Sequence, residues 1–132
     1  KVVHGGLSDT TGTFEGMPYL PDISNSGATT WSSSTNKESG ITFFPLDKLV
    51  SDKTIVNPIG IIHLDVEGME IKAIKGAMET IQKNKPYLSI EDHANDGHIL
   101  SALPDGYRLE KRLKPNNIFT YTFFQSDITC EY

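Results

Sequence analysis

Two short acidic clusters close the two most apolar stretches of this chain. Asp65 and Glu67 follow Ile59-Gly60-Ile61-Ile62-His63-Leu64, and Glu91-Asp92-His93 follows Tyr87-Leu88-Ser89-Ile90. Open α/β sheets bind ligands beyond the carboxyl ends of their parallel strands. Adjacent strands lie about 4.8 Å apart, so acids ending two neighbouring strands can share one ligand. Asp65, Glu67 and Glu91 are therefore the candidate site residues. Asp65, Glu91 and His93 are the candidate cation ligands, and the hard carboxylate oxygens of the two acids suit Mg2+. A structural reading stands beside the functional one. An acid at a strand-to-helix turn can cap backbone N–H groups and complement the helix dipole.

The remaining ionisable residues carry less. The stretch 91–98 is dense in acids and histidines, but its spacing matches no zinc pattern and reads as a solvated loop leading into a helix. His63 lies inside an apolar run and reads as a packed, hydrogen-bonded core residue. His4 has no companions. Order and spacing define no Ser-His-Asp or Cys-His arrangement.

The elements that must position the acids follow from periodicity. The run 59–65 lacks alternation, which predicts a strand covered on both faces, as in a parallel sheet. Ile71, Ile74, Met78 and Ile81, with Ala73 and Ala77, predict one helix with an apolar stripe. Glu70 in its first turn and Lys83 and Lys85 at its end suit the dipole. Gly76 in its interior predicts a close approach to the sheet. Pro86 ends the helix and Tyr87–Glu91 is a second strand, completing a right-handed βαβ crossover. A weak helix at 97–103, a Pro-Asp-Gly turn and an antiparallel hairpin of 107–113 and 118–124 follow, joined by Lys-Pro-Asn-Asn. Before the crossover, 41–44 reads as a strand stopped by Pro45, and 47–50 as one helical turn or a capped connection. Residues 1–7 read as the end of a strand. The stretch 14–40 is rich in Gly, Pro, Ser, Thr and Asn and reads as a long loop. In it Trp31 either packs the loop onto the body or sits in a lid. The predicted fold class is α/β, with a mixed sheet and an antiparallel C-terminal hairpin.

Composition bounds the rest. With 132 residues the chain is a single domain, 1–132. A net charge of −5 argues against a nucleic-acid binder, which carries a basic face. Lys111, Arg112 and Lys114 form the one basic cluster and read as a solvated strand edge. The single cysteine, Cys130, cannot form an internal disulfide, which is compatible with a reducing, cytoplasmic compartment. No apolar run is long enough to span a bilayer, and no signal peptide is visible. The chain opens on Lys1 rather than methionine, as a processed product or a piece of something longer would.

The segment Ile59–Glu91 resembles the FkbM family of S-adenosylmethionine-dependent methyltransferases. In that family an apolar strand runs into Asp-x-Glu-Gly-x-Glu, then a helix with a Leu/Ile-x-Gly-Ala core, then a Pro-led strand ending in Glu. The matching positions are Asp65, Glu67, Gly68, Glu70, Ile74, Gly76, Ala77, Pro86 and Glu91. Flanking matches are Gly6-Leu7-Ser8-Asp9 with Gly12, Ser26-Gly27-Ala28-Thr29, Pro45-Leu46-Asp47 and Gly106-Tyr107.

The resemblance implies a partial Rossmann-like methyltransferase fold and methyl transfer to a hydroxyl of a sugar or small metabolite. It implies S-adenosylmethionine as donor, and Asp65, Glu67 and Glu91 as the catalytic residues that orient the hydroxyl and remove its proton. A divalent cation such as Mg2+ could lower the hydroxyl's pKa instead. By the family layout the chain begins near the third strand, so the donor-binding turn and ribose acid precede it. The expectation is a C-terminal part of a methyltransferase domain that is inactive alone. The alternative is a non-catalytic, self-associating module. Loss of the first strands would expose the 59–65 edge or an apolar face, which predicts a homo-oligomer.

Overall fold

The computed structural model describes residues 2–15, 17–19, 30–32, 40–56, 58–92, 97–113 and 118–123. The predicted crossover is present. Strand β6 (Ile61–Leu64) pairs in parallel with β7 (Tyr87–Glu91), with His63 opposite Ser89 and Leu64 opposite Ile90. The hairpin of β8 (Tyr107–Leu113) and β9 (Ile118–Phe123) completes a four-stranded mixed sheet in the order β6-β7-β9-β8. The turn joining the hairpin lies outside the described residues.

The first strands form a sheet of their own. Strand β1 (Gly6–Leu7) runs parallel to β5 (Gly40–Phe44), and β2 (Gly12–Glu15) pairs antiparallel on its other side. The expected strand at 1–7 is thus reduced to two residues. Part of the expected loop at 14–40 is extended instead. Strands β3 (Met17–Tyr19) and β4 (Thr30–Ser32) pair antiparallel, with Trp31 opposite Pro18. The packing of the Trp31 side chain, and Ser26 to Thr29, lie outside the described residues.

The crossover carries two helices rather than one. Helix α2 (Glu70–Lys75) and helix α3 (Met78–Asn84) are divided at Gly76-Ala77. The apolar stripe persists across the break. Ala73, Ile74, Ala77 and Ile81 are buried against Ile62, Leu64, Leu88 and Ile90 of the sheet. Burying each leucine or isoleucine among them stabilises the fold by about 1.5–3 kcal/mol.

The division has a cause distant in sequence. A Cβ on Gly76 would collide with the Ser8 carbonyl, beside the end of β1, and crowd Pro45, which follows β5. Gly76 therefore does provide close approach, to the smaller sheet. Helix α1 (Leu46–Ser51) then seizes the broken turn. The Asp47 N–H donates to the Gly76 carbonyl at 2.9 Å. The Asp47 carboxylate accepts the N–H groups of Glu79 at 3.0 Å and Thr80 at 2.8 Å. Those are orphan donors at the start of α3, so Asp47 supplies from another element the cap that Ala77 cannot.

Among the described residues the helices, with α4 (His98–Ala102), cover one face of the large sheet only. Strand β6 alternates, with Ile62 and Leu64 buried and Ile61 and His63 exposed. The sequence suggested a strand covered on both faces because Ile61 is apolar; among the described residues it is 70% exposed. His63 is likewise no core residue. Its Nδ1 lies 3.1 Å from the Ser89 hydroxyl across the strand pair, on the open face.

Candidate active site at the carboxyl edge of β6 and β7

The carboxyl ends of β6 and β7 lie side by side, because parallel pairing in register carries both strands to the same edge. Asp65 leaves the end of β6 and Glu91 is the last residue of β7. One carboxylate oxygen from each of Asp65, Glu67 and Glu91 lies within 4.8 Å of the others. Asp65 is exposed, while Glu67 and Glu91 are half-buried. The third cation candidate, His93, lies outside the described residues.

Glu67 joins the cluster through an uncommon backbone conformation. Its φ is +46°, and Gly68 follows at +91°. A non-glycine residue in the left-handed region costs roughly 1 kcal/mol or more, and such residues concentrate at functional sites. The two residues turn the chain sharply between β6 and α2. The turn is held by Glu70, whose carboxylate accepts the Gly68 N–H at 3.1 Å. The three acids of Asp-x-Glu-Gly-x-Glu thus divide their work. Glu70 fastens the turn, leaving Asp65 and Glu67 beside Glu91. Sequence reasoning gave Glu70 only a dipole role and left Asp47 without one.

Three carboxylates this close repel one another. In water-like surroundings each pair at such a distance costs about 1 kcal/mol, and more where solvent is excluded. Their partial exposure makes that tolerable. A shared hydrogen-bond donor or a cation would relieve it. A hydroxyl directed at the cluster would meet acceptors on several sides, and a carboxylate is a competent proton acceptor at hydrogen-bond range.

The donor's expected surroundings are not built by the described residues. A donor of this kind is received by a glycine-rich turn at a helix N-terminus. Gly5 and Gly6 serve a different purpose. Side chains there would strike Phe44 and the Thr42 carbonyl, or the Phe43 ring, so both glycines admit β5 to close packing. Only single glycines stand near the starts of α2 and α4. Among the described residues, none forms a glycine-rich turn of that kind at a helix N-terminus.

Among curated proteins none matches at a significant level. The fold is similar to the crystal structure of the methyltransferase FkbM from Methylobacillus flagellatus KT, with a TM-score of 0.52 and 22% sequence identity. That match covers 91% of this chain and 27% of the other, so the chain corresponds to a minor part of the longer protein's length. The Methyltransferase FkbM domain model matches residues 2–121, almost the whole chain. The chain belongs to the FkbM methyltransferase domain family.

Proposed function

We propose that this chain forms the acceptor side of an S-adenosylmethionine-dependent O-methyltransferase. Its substrate would be a hydroxyl of a sugar or other small metabolite. The observation that carries the proposal is the convergence of Asp65, Glu67 and Glu91 at the carboxyl edge of two parallel strands. Bound elsewhere, the donor would supply an electrophilic methyl group. Asp65 or Glu91 accepts the one hydrogen bond that the incoming hydroxyl donates, fixing its orientation. Glu67, held beside them by its strained turn, completes the acidic wall, and one carboxylate takes the proton. A hard cation such as Mg2+ is the alternative occupant, with the same three acids as oxygen ligands.

Two titrations test this reading. Small polyols and methyl glycosides should shift the backbone amide resonances of Glu67, Gly68 and Glu91, and Asp65→Asn should weaken the response. In the same chain, calorimetry with S-adenosylmethionine should show no saturable binding. Unmoved amides, or donor binding at unit stoichiometry with micromolar affinity, would overturn the acceptor-side assignment.

A second reading, a non-catalytic module that self-associates, is favoured by one feature. Strand β6 is an edge of its sheet among the described residues, and Ile61 on it is largely exposed. Unpaired strand edges invite pairing with another chain.

A further inference from the structure

Val66-Glu67-Gly68-Met69 closes as a β-turn, with the Met69 N–H donating to the Val66 carbonyl at 3.2 Å. Both central residues have positive φ, +46° at Glu67 and +91° at Gly68, which is the pattern of a type I′ turn. Turn chemistry favours asparagine, aspartate or glycine at the first central position, and glutamate is none of these. The mirror image, a type I turn, has negative φ at both centres and suits most residues. Both forms close with the same bond, from the fourth N–H to the first carbonyl. The Met69–Val66 bond therefore does not choose between them.

The choice falls to a second bond. A β-turn's own hydrogen bond uses its first and fourth residues and leaves the N–H of the third without a partner inside the turn. Here that N–H, of Gly68, donates to the Glu70 carboxylate at 3.1 Å. Glu70 opens α2, so the helix holds this acceptor on one side of the turn. Inverting the hand of the turn reverses the side towards which the Gly68 N–H points. The bond to Glu70 is thus made in the left-handed form and broken in its mirror image.

We infer that Glu70 is a positioning residue: by accepting the Gly68 N–H it selects the left-handed turn that carries Glu67 to Asp65 and Glu91. The selection acts through hydrogen-bond acceptance, not through the negative charge that suits a helix start. In the mirror-image turn the Cα–Cβ bond of Glu67 leaves in another direction, and its carboxylate no longer meets the other two. Glu70 thus sets whether the site holds three acids or two. The consequence for acceptor binding rests on the reading of these acids as a hydroxyl site, whereas the choice of turn does not.

Glu70→Ala and Glu70→Gln test this, because both remove the charge and only glutamine keeps an oxygen acceptor. Alanine and glutamine are good helix formers, so α2 is retained in both. One readout needs no ligand. Positive φ brings a residue's own N–H and Hα together, so Glu67 should give an intense intraresidue nuclear Overhauser cross-peak in the wild type. In Glu70→Ala the ratio of left-handed to mirror-image turn should fall by about tenfold, the scale of one hydrogen bond to a charged acceptor, and the cross-peak should weaken. Glu70→Gln should restore much of it. The other readout is titration with methyl glucoside followed at the Glu91 amide, where affinity should fall in Glu70→Ala and recover in Glu70→Gln. An unchanged Glu67 cross-peak in Glu70→Ala, or Glu70→Gln behaving as Glu70→Ala does, would overturn the inference. A wild-type Glu91 amide that ignores glycosides would overturn the acceptor reading instead, and the cross-peak would still decide the role of Glu70.

Discussion

Gly76 lies so close to the carbonyl of Ser8 that no side chain fits between them, and this contact joins the α2–α3 connection to the end of β1. The obstacle is backbone, which cannot swing aside as a side chain would. Gly76→Ala should therefore destabilise the fold by about 2–3 kcal/mol, the upper range for overpacking. Asp47→Ala should cost about 1–2 kcal/mol through the lost cap on α3. Chemical denaturation of both variants checks this, and a cost near zero for Gly76→Ala would contradict the contact.

Glu67 offers a way to separate strain from use. Glycine adopts its left-handed conformation without penalty, so Glu67→Gly should hold or raise the melting temperature. The same substitution should reduce the response of the Glu91 amide to hydroxyl compounds. A clear loss of stability would mean that the Glu67 carboxylate is structural.

Alkaline pH should loosen the fold through two buried phenols. Tyr107, whose hydroxyl donates to the Pro86 carbonyl at 2.9 Å, and Tyr121 are both pushed up from 10.0 to about 12. The folded state thus keeps protons that the unfolded state has already released above pH 10. Stability should be level with respect to these groups below pH 10 and fall as pH rises towards 12. Thermal melts across that window, with tyrosinate absorbance followed in parallel, provide the measurement. Tyr121→Phe should flatten the slope.

Self-association is the fourth expectation. The open edge and exposed Ile61 of β6 should give a dimer or higher oligomer by light scattering at micromolar concentration. Ile61→Lys should shift it to monomer, since a charged residue on an edge strand blocks pairing. A wild-type monomer would remove this reading.

Much of this could be read from the sequence because it is local. The apolar strands, the stripe from Ile71 to Ile81 and the acids at strand ends needed no distant partner. Parallel pairing then brought Asp65 to Glu91 as the crossover required. What escaped depended on contacts across the chain. The helix breaks because Ser8, Pro45 and Asp47 meet it from far upstream. His63 and Ile61 face outwards because the described helices cover only one side, which the strand's composition does not reveal. Asp92 carried a usable signal, since it shares the parity of buried Ile90 and not that of Glu91.

Among the described residues the outer edge of β6 has no partner strand, and it ends where the three acids begin. A segment hydrogen-bonding along Ile61–Leu64 would also form a wall beside Asp65. Occupancy of the edge and access to the acids are then thermodynamically linked. If strand addition changes the affinity of the acids for a ligand by some factor, the ligand changes the affinity of the edge for its strand by the same factor. A titration at either place would thus read out the other, so assembly through this edge and ligand capture by the acids would form a single coupled equilibrium.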